Sequence, residues 1–522
     1  MRPLRLGRQA QNGLAAMLLL VILVMGSSFF VLRSLNAASM RADRYRLSQD
    51  ALVAAKEALI ARAVTDDNRP GSLPCPDLDD DGDAELFAGT ACPSYIGRLP
   101  WKTLRLPDLR DANGERLWYA LSTTYRDHAS AQPINSSTPG LLSVAGSQPA
   151  AGLVALVFAP GPVAARGGAL QSRGCTVGVN CDANLRCTAG IATPKCNPAN
   201  YLEISGGVDN ANGDATYVAA IESESFNDRL IEITVDDIMW HVEKRAGREL
   251  GGKLRAHFDA WQNAAEVTAA SRKGFYPWAA PFNDPATASP GVNNTSTGQL
   301  PLDASGVVWS SATLTVAGLP LGGCVGVGTS QITCSALIVC ALTACVTQVN
   351  ATVSGIATAF VDPPDGSEVT LSGLLIGGPS TGTWTLNSAA QTLGFSYTGN
   401  SLLAVGLVEL TVNVPMASSW TTSGTDWLVA NNWAQVAHYS VSPGYALSGG
   451  NACAGTCIGL AGAADKQAVV TMTGRALAGQ VRNTPAALAA YLEGGNTDPT
   501  DLVLERGLKT PLFNDQPVAV RP

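Results

Sequence analysis

The chain is short of charge. Asp, Glu, Lys and Arg make up only 15% of its 522 residues, against roughly 25% in an ordinary soluble protein. Base is scarcest, since no Lys or Arg lies between Lys273 and Lys466. That stretch cannot cradle phosphate or nucleic acid, which needs clustered cations. With 34 Lys+Arg against 42 Asp+Glu the net charge is −8, and no nucleic-acid partner is expected. Histidine is nearly missing: His128, His241, His257 and His438 are scattered, with no H-E-x-x-H zinc motif and no Walker phosphate loop. Residues 378–382 (GPSTG) satisfy G-x-S-x-G formally, but they lie in a Ser/Thr/Gly-rich β region without the strand–turn–helix setting of a nucleophile elbow. The chain reads as a non-enzyme.

Long hydrophobic runs are missing too, with one exception. Residues 14–32 (LAAMLLLVILVMGSSFFVL) carry no charge and approach the ~20 residues that cross a bilayer. Arg2, Arg5 and Arg8 precede the run without any acid, which predicts a cytoplasmic N-terminus and an exported body. A cleaved secretory signal is the alternative; its apolar core is usually ~7–15 residues, and Ala37-Ala38-Ser39 is a poor cleavage site. Beyond the run, Met40, Leu47, Ala51, Ala54, Ala55, Ala58 and Leu59 repeat at three and four, with no Gly in residues 27–68. Span and amphipathic segment thus read as one helix over residues 14–66, about 50 residues and ~75 Å long. The turn cluster at residues 69–76 (RPGSLPCP) must end it.

Twelve cysteines fall in four even groups: Cys75 and Cys92; Cys175, Cys181, Cys187 and Cys196; Cys324, Cys334, Cys340 and Cys345; Cys453 and Cys457. Even local groups suit disulfides in an oxidising compartment. Zinc is the rival, but it prefers closer pairs with more Cys or His nearby. The pairing inside the four-Cys groups stays open.

Several elements occur twice. Residues 201–203 and 491–493 are both Tyr-Leu-Glu, and each is followed by a Gly-Gly pair and an Asn. Residues 226–228 and 513–515 are both Phe-Asn-Asp, and they read as turn and capping devices at strand starts. The apolar strand at residues 152–158 is echoed at 467–472, and the Trp-bearing element at 118–122 is echoed at 433–442. A second helix over residues 236–272 puts Ile238, Val242, Leu250, Leu254, Phe258 and Trp261 near one face. Residues 306–417 are rich in Thr, Ser, Val and Gly with alternating stretches, an inserted β-sandwich by pattern. The predicted order is a leader (1–13), the first helix (14–66), a globular unit (67–235), the second helix, a linker (273–305), the insert, and the completion of a second unit (418–522).

A family resemblance rests on two motifs. The Arg-bearing leader ending in Gly13, followed by an uncharged run that continues into a long amphipathic helix, resembles a prepilin N-terminus. Residues 111–122 (DANGERLWYALS) are similar to the sheet motif of pseudopilins. The resemblance implies an α+β fold: a long transmembrane and amphipathic helix, then two tandem pilin-like helix-plus-antiparallel-sheet units, the second carrying the β insert. It implies cleavage by prepilin peptidase between Gly13 and Leu14, methylation of the new N-terminus, and other pilins or pseudopilins as partners through the helix. The expected place is the bacterial inner membrane, single-pass, with the body periplasmic or carried on a filament at the cell surface. The family's Glu, five residues into the mature chain, is Leu18 here. A buried carboxylate pairs with a neighbour's N-terminal amine in that setting, so its loss points to a minor or tip subunit. A membrane-anchored adhesion protein outside any filament is the alternative.

One motif suggests a metal. Asp77, Asp79, Asp81, Asp83 and Glu85, with Gly82 at the bend, copy the first half of a calcium loop, but Ala88 stands where the twelfth-position Glu belongs. An acidic turn stapled by Cys75 and Cys92 accounts for the same residues.

Overall fold

In the computed structural model the apolar run of residues 152–158 becomes the middle of a strand, Ala150–Ala159, buried from Leu153 onward. Such continuous burial explains why the run is apolar throughout rather than alternating. The strand pairs antiparallel with Trp118–Leu121, Leu142–Gly146 and Arg229–Thr234. Phe158 therefore has Trp118 opposite it on one side and Leu230 on the other. Trp118, Leu142, Val144, Leu156, Tyr201 and Tyr217 join it in one core cluster. The ring centroids of Trp118 and Tyr201 lie 5.3 Å apart, a favourable aromatic spacing.

The structure describes residues 8–128, 132–188, 193–263, 276, 279, 296–300, 309–320, 322–329, 331–339, 345–355, 369–373, 383–387, 390, 392–401, 405–413, 426–446, 452–453, 455, 457–482, 488–498 and 500–521. They form two units. The first holds Met1–Arg62, Leu73–Ala131 and Pro139–Thr234, and the second Ala63–Ser72, Gln132–Thr138 and Val235–Pro522.

Helix α1, Arg8–Thr65, opens the chain. Ser48, Leu52, Ala55 and Leu59 are buried at steps of four, three and four, the one-face spacing of a helix. Three polar contacts tie this half to the first unit. Ser48 Oγ accepts from the Ala112 N–H at 3.1 Å, Lys56 donates to the Glu232 carbonyl at 2.9 Å, and Arg62 pairs with Asp127 at 3.2 Å.

The expected fold class is corrected by these elements. Most of the described elements are strands in several small sheets, and among the described residues no helix is long and apolar enough to cross a membrane. A transmembrane helix leading pilin-like units is therefore not the architecture. Single-pass placement in the inner membrane falls on the same finding.

In the second unit α2, Val235–Asn263, begins with Asp236 and Asp237 in its first turn, acids placed well for the helix dipole. It buries Ile238, Val242, Ala246, Leu250 and Leu254 and packs on the strands Ala468–Met472 and Gln516–Arg521. Gly247 permits the approach, since a Cβ there would lie 3.0 Å from Val518 Cγ2. The side chains of Phe258 and Trp261 lie outside the described residues. These strands continue through Ala437–Val441 to Thr297–Gln299 in one sheet of four. Between Ser311 and Asn413 stand two further sheets of four antiparallel strands. Alternate residues are buried there, as at Val349, Ala351 and Val353, the period of two that β-branched stretches favour.

Leu59 is fully buried on α1. Its replacement, Leu59→Ala, should lower the unfolding free energy by about 2–5 kcal/mol, read from the urea midpoint of the full chain.

Candidate functional site

The acidic loop is organised by Asp77. Its side chain is fully buried, and it accepts N–H bonds from Asp79 (3.1 Å) and Asp80 (2.7 Å) on Oδ1 and from Gly82 (2.7 Å) on Oδ2. Three backbone donors on one carboxylate fold the turn locally, and the Lys102 N–H, donating to the Gly82 carbonyl at 2.8 Å, ties it to the next segment. Gly82 has φ +90°, and a Cβ there would lie 2.6 Å from the Trp101 ring, so only glycine serves. Burial pushes the Asp77 carboxyl up to about 7, against the pull of its amide donors. Burial raises Glu85 as well.

Oxygens of Asp77, Asp79 and Glu85 lie within 4.8 Å of one another, and these three can hold a cation. Asp81 and Asp83 turn elsewhere: Asp81 pairs with Arg186 at 3.2 Å and Asp83 with Lys102 at 3.7 Å. Asp80, which no motif singled out, faces a cationic wall, with Arg116 at 2.9 Å, Lys195 at 2.6 Å and Arg98 at 3.9 Å. Those cations hold its carboxyl below the usual range although burial opposes them. Ala88 is no ligand; its N–H closes a small hairpin on the Ala91 carbonyl. The loop is stapled by Cys75–Cys92.

Among the described residues four more disulfides are present: Cys175–Cys181, Cys187–Cys196, Cys324–Cys334 and Cys453–Cys457. Each closes within its own sequence group. The side chains of Cys340 and Cys345 lie outside the described residues, as do residues 378–382. Gly13 and Leu14 fall inside α1.

The repeated tripeptides meet in two matching clasps, one in each unit. In the first, Asp228 Oδ2 accepts from the Glu203 N–H at 2.8 Å and from Asn210 Nδ2 at 2.9 Å. Glu203 Oε2 in return accepts from the N–H groups of Asn227 and Asp228, both at 3.0 Å, and Gln171 donates to Oε1 at 2.8 Å. In the second, Asp515 accepts from the Glu493 N–H and from Asn496, both at 2.9 Å. Glu493 accepts from the Asn514 N–H at 2.9 Å and from Gln480 at 2.8 Å. Even the neighbouring Arg is duplicated: Arg173 lies 4.6 Å from the Tyr201 ring and Arg482 lies 5.0 Å from the Tyr491 ring.

Two acids so close and so buried cannot both ionise cheaply. Burial, then repulsion from Glu493, pushes Asp515 up to about 8, and the same causes raise Asp228 well above the carboxylate range. The expectation that Phe-Asn-Asp is a capping device covers half of each clasp. The Glu of Tyr-Leu-Glu is the partner that sequence reasoning missed; its signal was the repetition of both tripeptides in one order. His438 is fully buried, and burial takes its imidazole down to about 3.

No protein-family model, curated protein or solved structure matches this chain.

Two outcomes follow from this geometry. The folded-state pKa of Asp515, about 8, lies above its ordinary 3.8. Between those values the native chain keeps a proton that the unfolded chain has lost, so this stability is full at low pH and drains away as pH rises. Asp515→Asn, neutral throughout, should therefore flatten the fall in urea midpoint between about pH 5 and about pH 8; an unchanged slope would contradict the assignment. For the loop, millimolar calcium should raise the melting temperature of the full chain and leave that of Asp79→Asn where EDTA puts it. Identical wild-type melting in calcium and in EDTA would remove the cation from the account.

Proposed function

We propose that this chain is a non-enzymatic minor subunit of a pilus- or secretion-type filament, docking through the first half of α1 with equivalent helices and displaying a disulfide-stapled body. The observation that carries this reading is the exposure of residues 17–25. Nine consecutive apolar side chains, Met17 to Met25, stand 53–74% exposed, while the same helix is packed at Leu52, Ala55 and Leu59. Nine residues cover every side of a helix, and a helix that is apolar all round needs an apolar surround. A bundle of like helices supplies one, because knobs from each rod fill holes in the next.

The prepilin-like leader supports the same reading, with prepilin peptidase as the processing partner and Leu14 as the first mature residue. Leu18 has no charge to offer a neighbour's N-terminal amine, which suits a tip or minor position. Five disulfides suit a body that works in an oxidising compartment.

The test is the mature N-terminus after co-expression with an active or an inactive prepilin peptidase, followed by crosslinking to co-expressed pilins. Peptidase-dependent exposure of Leu14, and crosslinks lost in Leu19→Glu, are the expected result. An N-terminus indifferent to the peptidase sinks the filament reading and leaves an exported binding protein outside any filament.

A further inference from the structure

We infer that a basic pocket in the first unit binds an acidic sugar, one bearing a carboxylate or a phosphate. The chain has only 34 basic residues and a net charge of −8, yet seven basic side chains line one pocket of about 500 Å³, with Asp80, Asp81 and Glu115 as the acids among them. They are graded by depth. Arg98 and Arg173 are almost wholly buried, at 3% and 8% side-chain exposure. Arg116 and Lys195 are at 21%, and Lys102, Arg110 and Arg186 reach 38–46% at the rim. Asp108 and Asp83 reach the rim bases from outside the lining, and base still exceeds acid.

The buried bases are fixed as a preformed floor. Arg98 lies between the rings of Trp118 and Tyr201, at 4.4 and 4.0 Å, and donates to the carbonyls of Arg116 and Lys195 at 2.9 and 3.2 Å. Its Nε, 3.9 Å from Asp80 Oδ1, is buried without a hydrogen-bond acceptor, and so is the Nε1 of Trp101 in the same pocket, against Asp80 Oδ1 as the one orphaned acceptor among the described lining atoms. The pocket thus has donors in excess, which calls for a ligand rich in acceptors. The rim bases form part-exposed ion pairs with Asp83, Asp108 and Asp81, and Lys102 and Arg110 also donate to the carbonyls of Asp81 and Gly114; such surface pairs are weak and exchange for a better anion.

Size and the remaining polar groups decide the class. About 500 Å³ is more than a bare ion fills and falls in the range of small-molecule sites. Asp81, Glu115 and Asn184 in the lining offer acceptors for hydroxyl groups. Anion receptors beside hydroxyl acceptors match a sugar that carries one acidic group. A chain of net charge −8 repels anions at long range, so such a ligand is captured by local focusing in the pocket.

Calorimetry on the full disulfide-bonded chain tests this with glucuronate, glucose 6-phosphate, inorganic phosphate and neutral glucose. Saturable binding of glucuronate or glucose 6-phosphate is expected, and the stronger of the two identifies the acidic group. The double variant Lys102→Gln/Arg186→Gln should weaken it roughly tenfold or more, and Lys102→Arg/Arg186→Lys should retain it. Because both side chains also pair with Asp81 and Asp83 of the acidic loop, the charge-retaining Lys102→Arg/Arg186→Lys variant is the control for those pairs, and the melting temperature of each variant is the folding control. No binding of either acidic sugar, equal binding of neutral glucose, equal binding of inorganic phosphate, or binding untouched in the Gln variant would each overturn the inference.

Discussion

Two carboxylates that share one dry site are the constraint on which each unit is built. In the first, the pair joins Glu203 in a loop to Asp228 at the entry of the last strand. A buried acid without partners is costly, so every atom that serves the pair is held in place with it. Asn210 bridges Asp228 and the Val218 carbonyl, and Gly161 leaves room for the Asn227 amide. The same set recurs around Asp515, with Asn496 bridging to the Glu505 carbonyl and Gly474 beside Asn514. Because the pair is satisfied only when loop and strand are both in register, it selects one arrangement of chain segments over near alternatives.

Helix α1 shows the opposite economy. Its second half is held by burial and three polar ties, whereas residues 17–25 expose apolar surface in every direction. One rod therefore carries two kinds of surface, one completed within the chain and one that calls for an outside partner. The lining of the basic pocket adds a third kind, polar and cationic, on the body that such a rod would present.

Much was legible in the sequence where a local rule decides the outcome. The continuous apolar strand at residues 152–158, the helix face of Ile238, Val242, Leu250 and Leu254, and the pairing of cysteines within groups all follow from period or proximity. Hydropathy misled where residues 14–32 were read as a span: among the described residues no helix is long and apolar enough to cross a membrane. The acidic loop was legible as a turn, yet its five carboxylates divide between a triad and two ion pairs. That division depends on Arg186 and Lys102, which lie far along the chain or across a turn and leave no mark in the motif. The basic pocket was hidden for the same reason. Its cations are spread from Arg98 to Lys195, and only the fold gathers them.

The five disulfides have one consequence that sets the order of events during synthesis. Each joins cysteines only 4 to 17 residues apart. A bridge of that reach can close as soon as its second thiol meets an oxidant, before any distant strand has arrived. Oxidation can therefore proceed stepwise from the N-terminus, with few wrong partners in range. A reductant acting on these five bridges would loosen one loop at a time and leave the sheets, which none of the five joins to one another, to their own packing.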